Sequence, residues 1–271
     1  MRCFVRLSGT RAVRWASSLA LAAACTPGSS GKHADMRTPA AEHADRYDVS
    51  GMVVDLAGQP VVDMFVTVST EFCIPDRTDD AGGFTVGDVD GGDKRLITYG
   101  ETAANGLFAS VVFAFSADQS VNFDGQIVAP SLDESWLVDP DATGEQRVVT
   151  SHGLELTIPA GSLSLAPFAP DEVQVARVPT HQAPPFVPDG VTLVDLFALH
   201  PILSTLDPPA PVAFPGDTGL MPGSSVTFHS LDYDLGLLVP VATGTVDADG
   251  RPATDPGQGL PELTWVGVST E

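Results

Sequence analysis

Apolar and polar residues alternate along most of the chain after residue 46, and no window shows a sustained apolar stripe with the helical period of 3.6 residues. In the run 61–70, Val62, Met64, Val66 and Val68 share one parity, which is typical of a strand with one buried face. Similar runs occupy 48–56, 95–100, 107–116 and 121–128. The pattern predicts an antiparallel β-sandwich over residues 47–130.

A polar stretch at 133–145 interrupts this pattern, and strand-like runs then resume. They cover 152–163, 172–178, 192–202, 211–215, 224–232 and 236–246, with Pro-rich loops between them. The 26 glycines and 23 prolines, spread along the whole chain, also favour short strands joined by turns over a helical bundle. The predicted fold class is therefore all-β: two β-sandwich domains, 47–130 and 133–271.

The first 24 residues differ from the rest. Four arginines and no acidic residue precede the apolar run 15–24, an arrangement typical of a secretory signal peptide. The run is about half as long as a membrane-spanning helix. Residues 26–46 mix Gly, Ser, Pro, Ala and both charges without periodicity, which predicts a flexible tether.

The end of the signal peptide, Leu21-Ala22-Ala23-Ala24-Cys25, resembles the bacterial lipobox. This resemblance implies cleavage before Cys25 and a diacylglyceryl thioether on its sulfur, so that the chain is a cell-envelope lipoprotein held on the membrane by its lipid. Two observations qualify it: Ala22 occupies the position where the family prefers Leu, and ordinary cleavage after Ala24 is the alternative. Thr26 after the cysteine resembles lipoproteins that are sorted to the outer membrane. With Cys25 acylated, Cys73 is expected to stay single, as a small buried hydrophobe rather than a reactive thiol.

The formal net charge is −22, from 13 basic and 35 acidic residues. An acidic surface repels phosphate backbones, which excludes nucleic acid as a partner. It also repels anionic lipids, so membrane attachment depends on the acyl chains at Cys25.

The first predicted sandwich resembles the carboxypeptidase regulatory-like domain, a transthyretin-like module without catalytic residues. The resemblance rests on two turn-and-strand motifs, Gly51-x-Val53-x-Asp55-x-x-Gly58-x-Pro60-Val61 and Thr78-Asp79-x-x-Gly82-Gly83-Phe84-x-Val86. Gly58 and the Gly82-Gly83 pair are expected to supply positive φ angles in tight turns. The small Gly-Ala pair before the second strand and the closing Pro-Gly-Tyr of the family are absent.

The second half resembles, loosely, the β-sandwich module of ankyrins and netrin receptors, which binds proteins and is not catalytic. The matching residues are Leu154-x-Leu156-x-Ile158-Pro159-Ala160-Gly161-Ser162-Leu163, Pro211-Val212-x-Phe214-Pro215 and the closing Thr245-Val246-Asp247-Ala248-Asp249-Gly250.

The sequence contains no recognisable set of catalytic residues. His152 and Glu155 have the H-x-x-E spacing of zinc carboxypeptidases, but they would point to opposite faces of a strand, and the chain lacks room for such a catalytic domain. No nucleophile elbow, phosphate loop or dinucleotide fingerprint occurs. The sequence therefore predicts a protein that is not an enzyme and needs no cofactor.

Two acidic loops are weak candidates for calcium, which prefers oxygen ligands. Asp88, Asp90 and Asp93 form one, and Asp247, Asp249 and Asp255 the other. Neither matches an EF-hand loop, and Asp-Gly turns between strands are the alternative.

These observations predict a non-catalytic surface or periplasmic module that binds a protein or glycan. The alternatives are a structural spacer of the envelope or an envelope hydrolase accessory. The tryptophans and tyrosines outside the signal peptide form no recognisable platform for stacking sugars, which weakens the glycan hypothesis. They are Trp136, Trp265, Tyr47, Tyr99 and Tyr233.

Overall fold

The computed structural model describes residues 45–69, 73–123, 125, 127–167 and 169–270. Within these residues the regular structure is β-strand, with three short 3₁₀ turns and no α-helix, so the all-β prediction is confirmed. No helix in the described part of the chain has the length and apolarity needed to cross a bilayer.

The strands of the first half form two four-stranded sheets that pack as a sandwich. Their bounds are β1 Arg46–Val54, β2 Phe65–Ser69, β3 Cys73–Arg77, β4 Gly83–Asp90, β5 Gly92–Tyr99, β6 Val112–Ala117, β7 Val121–Asn122 and β8 Ile127–Val128. One sheet has the order β4-β1-β7, with β8 also paired to β1, and the other has the order β3-β2-β5-β6.

The run 61–70 is a strand only in its second part. Met64, Val66 and Val68 are fully buried, as the alternation predicts, whereas Val62 is only half-buried and its neighbour Val61 is fully buried. β2 begins later than expected, at Phe65, because Asp63 has a φ of 55°, which interrupts the extended backbone. Arg77 holds Asp63 in place: its Nη1 donates to the Asp63 carbonyl at 2.7 Å.

The second half forms one ten-stranded and one three-stranded sheet. Their strands are β9 Glu134–Leu137, β10 Gln146–Val149, β11 Glu155–Ile158, β12 Leu163–Ser164, β13 Glu172–Arg177, β14 Leu193–His200, β15 Ser204–Ala210, β16 Val212–Ala213, β17 Ser225–Asp232, β18 Leu237–Val246, β19 Pro252–Thr254, β20 Leu260–Leu263 and β21 Val266–Thr270. The large sheet has the order β10-β11-β16-β19-β18-β17-β21-β14-β13-β9, and the small one β12-β15-β20. β9, within the polar stretch, and β15, within a Pro-rich loop, were not expected. The predicted runs also omit β10, β19, β20 and β21.

Part of the ten-stranded sheet is buried on both faces. In β14, Leu196 and Ala198 belong to the core of the first sandwich, whereas Phe197 and Leu199 belong to the core of the second. β13 divides its apolar residues in the same way, with Ala176 facing the first core. A strand buried on both faces has a nearly continuous apolar sequence, and β14 accordingly lacks a polar face.

We call the contact between the two sandwiches the junction. At its centre the indole of Trp265 is fully buried, and its Nε1 donates to the carbonyl of Ser110 at 2.7 Å. Phe186 packs against it edge-on, with ring centroids 4.9 Å apart. At one end, Gly236 has a φ of 64°, and a Cβ there would lie 2.7 Å from the backbone nitrogen of Ala114, so only glycine fits.

No strand of the first half pairs with a strand of the second half in the described residues, and the change falls between β8 and β9, close to the predicted boundary. Residues 45–271 nevertheless form one compact unit. β1 begins at Arg46, the last residue assigned to the tether. Whether 47–130 folds alone stays a prediction.

The two ends of the ten-stranded sheet, β9 and β10, are neighbours in the chain, so the sheet curls until its edges approach each other. Side chains join them at both ends. Gln146 accepts the backbone N–H of Asp139 at 2.7 Å and donates to its carbonyl at 2.8 Å, while Glu134 accepts both N–H and O–H of Ser151. No described backbone hydrogen bond joins the two strands. We call this gap the slot.

Candidate functional site

A polar groove of about 540 Å³ opens on the first sandwich, where β1, β4 and β7 meet the end of β3. Its lining consists of Ser50, Gly51, Asp76, Arg77, Asp79, Gly83, Phe84, Thr85 and Asn122. The lining therefore offers hydroxyl, carboxamide, carboxylate and guanidinium groups, a composition suited to hydrogen bonding.

Strand register places three of the polar side chains in one row. Ser50 is paired with Thr85 of β4 on one side and with Asn122 of β7 on the other. The neighbouring Gly51 lies on the opposite face of β1, where a Cβ would lie only 3.0 Å from the ring of Phe84, a residue of the buried core. The polar row thus follows from the pairing of β1 with both neighbours.

The carboxylates of the rim are fixed by backbone groups. Asp76 accepts the N–H of Thr85 at 2.7 Å, and Asp79 accepts those of Ala81 and Gly83 at 2.9 and 2.8 Å. Arg77 is held by its ion pair with Asp63 at 3.0 Å. These side chains lose little further conformational entropy when a ligand binds, which favours affinity.

The turn at Asp79 is one of three with the same hydrogen bonds. In each turn, an aspartate side chain accepts the backbone N–H groups two and four residues later. The residue three positions after the aspartate is a glycine with a φ between 76° and 80°. The three aspartates are Asp55, Asp79 and Asp247. The expected positive φ is confirmed for Gly58 and Gly82, whereas Gly83 lies in a strand. Part of the acidic excess therefore serves turn formation.

In the first acidic loop the structure shows an ion pair at the Asp90 carboxylate and backbone contacts at Asp88 and Asp93. Asp90 lies 3.4 Å from Arg46, and the backbone carbonyl of Asp88, whose φ is 58°, accepts from the same guanidinium. Asp93 is paired across the sheet with Ser116.

In the second acidic loop, Asp247 caps its own turn by accepting the N–H groups of Asp249 and Arg251, and Asp255 accepts the hydroxyl of Thr243 at 2.7 Å. Among the described residues, no three His, Cys, Asp or Glu side chains gather in a geometry that could hold a metal ion.

His152 and Glu155 have separate partners. Glu155 is bound by Arg147 at 2.6 Å and by Arg251 at 3.2 Å, and these cations lower its pKa. His152 lies 3.6 Å from Glu134 instead. The H-x-x-E spacing does not bring the two side chains to one site.

Sequence reasoning missed a charged cluster in the second sandwich. Arg177 contacts the buried carboxylate of Asp195 at 3.1 Å and the exposed carboxylate of Asp217 at 2.8 Å. Burial raises the pKa of Asp195, whereas the hydrogen bond from Arg177 lowers the pKa of Asp217. The only signal was the charged residue inside the apolar run of β14. Its contacts indicate a structural role.

Cys25, the predicted lipidation site, lies outside the described residues. The expectation that Cys73 stays single is wrong, because Cys73 is half-buried and disulfide-bonded. The chain contains two other cysteines, Cys3 and Cys25, and both lie outside the described residues.

No protein-family model matches the chain, and no curated protein matches it in sequence. Solved structures that it resembles include a Bacillus anthracis TIE protein, at 8% identity and a TM-score of 0.27, over 83% of this chain and 48% of that one. The chain thus spans about half the length of that protein.

The major pilin subunit of Bacillus cereus, in a D312A variant, matches at 12% identity and a TM-score of 0.26, over 80% of this chain and 86% of that one. A candidate carbohydrate-binding protein from Bacteroides uniformis matches at 7% identity and a TM-score of 0.20, over 83% and 79%.

Proposed function

We propose that this chain is a non-catalytic lipoprotein of the cell envelope, anchored through Cys25, whose polar groove binds a protein or glycan ligand. The observation that carries the binding proposal is the groove itself. Its rim carboxylates are held by backbone N–H groups, and its row of polar side chains is set by strand register. Such pre-organisation is typical of a recognition surface.

The chemistry of the groove favours recognition over catalysis. Its nine lining residues include no histidine, cysteine or lysine, and its hydroxyls have no base beside them other than carboxylates that already accept backbone hydrogen bonds. A nucleophile paired with an oriented base, the usual requirement for hydrolysis, is missing from this lining.

The resemblance of the first sandwich to carboxypeptidase regulatory-like domains agrees with this proposal, since that module is not catalytic. Gly58 and Gly82, which belong to the motifs that carry the resemblance, adopt the left-handed backbone that those turns require.

Anchoring is tested by fractionation and intact-mass analysis. Cys25→Ala should move the protein from the membrane fraction to the soluble fraction or block its processing, because two or more acyl chains are needed for stable attachment. Cys73→Ala is the control and should leave the protein on the membrane. A mature chain that begins at an unmodified residue and is washed from membranes by buffer would overturn the lipoprotein proposal.

The disulfide of Cys73 provides a second test of anchoring through Cys25. A sulfur in a thioether cannot also form a disulfide, so a lipidated Cys25 requires that Cys73 lack Cys25 as its partner in the mature protein. Non-reducing and reducing mass spectra of the mature chain distinguish the two states. A Cys25–Cys73 disulfide in that chain contradicts anchoring through Cys25.

Binding is tested with the immobilised full chain against a glycan array and an envelope extract. Replacing the exposed side chains Thr85 and Asn122 with alanine should abolish capture of the ligand, while Thr143→Ala, also exposed, should not. Capture that survives the double substitution excludes the groove as the binding site.

A structural spacer is the second candidate function, and the junction favours it. Two sandwiches that share a buried core move as one body, and a rigid body can hold an attached partner at a fixed distance from the membrane. Failure of the chain to capture any ligand, together with intact anchoring, would favour the spacer over the binding module.

A further inference from the structure

We propose that the slot between β9 and β10 is a docking site for an extended, basic polypeptide segment of a partner protein, which would add one strand and close the ten-stranded sheet. The slot lies in the second sandwich, apart from the groove, and this proposal does not depend on the groove binding a ligand. In this proposal, the backbone groups of the two sheet edges pair with the backbone of the docked segment.

Both strands that border the slot are sheet edges. β9 is paired with β13 on its other side, and β10 with β11. An edge strand presents N–H and C=O groups that an added strand can pair with. Since β9 and β10 are consecutive and run in opposite directions, a segment between them would run parallel to one and antiparallel to the other.

The distance between the backbones of β9 and β10 follows from the side chains that bridge the slot. At one end the carboxamide of Gln146 takes the place of a peptide group, because it accepts from the N–H of Asp139 and donates to its C=O. At the other end the carboxylate of Glu134 receives the backbone N–H of Ser151. A side chain between two backbones separates them by roughly two strand spacings, about 10 Å, instead of one. That width accommodates one extended segment once the bridges made by Gln146 and Glu134 open.

The outer face of the slot is apolar and exposed. Trp136 and Val148 pack against the core of the second sandwich, and the residues that follow them, Leu137 and Val149, point to the opposite face. Leu137 is 84% exposed, more than any other large apolar side chain of the described residues, and Val149 is 46% exposed. Alternate apolar side chains of a docked segment would cover both.

The acidic charge beside the slot favours a basic segment as its ligand. Residues 133–147 contain five acidic residues and one basic residue, and that residue, Arg147, already pairs with Glu155. His152 likewise lies against Glu134. A second copy of this chain, with the same acidic edge, would be repelled, whereas a segment with lysine or arginine would be attracted.

The test uses the full chain and a fluorescent peptide of about eight residues that alternates lysine and valine. Binding should be saturable, should weaken as salt is raised from about 0.05 to about 0.5 M, and should exceed that of the matching glutamate–valine peptide by about tenfold or more. Hydrogen exchange should slow in both β9 and β10 when the peptide binds.

Leu137→Arg should lower the affinity about tenfold, and Met221→Arg, a control at a side chain that is 75% exposed in a loop before β17, should leave it unchanged. Both substitutions are at the surface, so folding is preserved. The proposal is overturned if the peptide shows no saturable binding at millimolar concentration, or if Leu137→Arg leaves binding intact. It is also overturned if the chain self-associates and Leu137→Arg converts it to monomers, since the occupant would then be a second copy.

Discussion

The junction lies between the two sandwiches and the slot lies between the two edges of one sheet, and they are closed by opposite means. The junction is sealed by apolar side chains, with Trp265 and Phe186 fully buried. The slot is bridged by hydrogen bonds of partly or wholly exposed side chains such as Glu134 and Gln146. Burial of apolar area stabilises far more than exposed hydrogen bonds do. The comparison therefore predicts a rigid junction and an adaptable slot.

The largest effect is expected when the centre of the junction is removed. Trp265→Ala deletes a fully buried aromatic side chain and the hydrogen bond to Ser110, and should lower the free energy of unfolding by about 3–5 kcal/mol. Urea denaturation of the full chain measures this loss. Trp136→Ala, at a half-buried indole beside the slot, is the control and should cost less. Equal losses would contradict the contrast between the two regions.

A similar loss is expected from the charged cluster beside the shared face of β14. Arg177→Met would leave the Asp195 carboxylate, which is 3% exposed, without its cation, at a cost of about 3–5 kcal/mol. Adding Asp195→Asn removes the buried charge and should recover part of the loss. A double-mutant cycle over both sites measures the coupling, and additive effects would show that the pair does not interact.

Acid should weaken the second sandwich selectively, because all described histidines lie there. Burial lowers the pKa of His200 from 6.5 to about 4, so the folded state disfavours the proton that the unfolded state accepts. The stabilising contribution is present above pH 6.5 and is lost as the pH falls towards 4, by about 3 kcal/mol in all. His200→Gln should flatten this dependence in denaturation curves at pH 7 and 4.5. A slope unchanged by His200→Gln would refute the assignment.

The smallest effect is expected at the slot. Glu134→Gln keeps the shape of the side chain and weakens its bridge to Ser151, so the free energy of unfolding should fall by less than about 1 kcal/mol. Hydrogen exchange of β9 should nevertheless become faster, because the bridge restrains the edge. A loss comparable to that of Trp265→Ala would mean that the slot is a structural seal.

The sequence predicted features that depend on neighbouring residues. The alternation of Met64, Val66 and Val68 and the aspartate–glycine turn at Asp79 were both apparent, since each is encoded within about ten residues. The all-β class followed from such local signals repeated along the chain.

Features that depend on distant pairing were not predicted. β9 has a polar sequence and becomes a strand because β13 supplies its partner. β15 is the central strand of its sheet, and its prolines lie between Thr205 and Ala210, where its pairing with β20 is interrupted. The groove requires three strands in one register, and the second buried face of β14 requires the other sandwich. No window of the sequence carries this information. The row Thr85–Ser50–Asn122 could be found only once the strands were paired.

The shared face of β13 and β14 also constrains the order in which this chain can fold. A ribosome adds roughly 5–20 residues per second, so several seconds or more separate the synthesis of Phe113 from that of Trp265. During that interval the hydrophobic surface that will meet Trp265 has no native neighbour. If the chain is exported, as proposed, this surface has to be kept from aggregating until the C-terminal strands follow. A chaperone during biogenesis would then matter more for this molecule than for two sandwiches with separate cores.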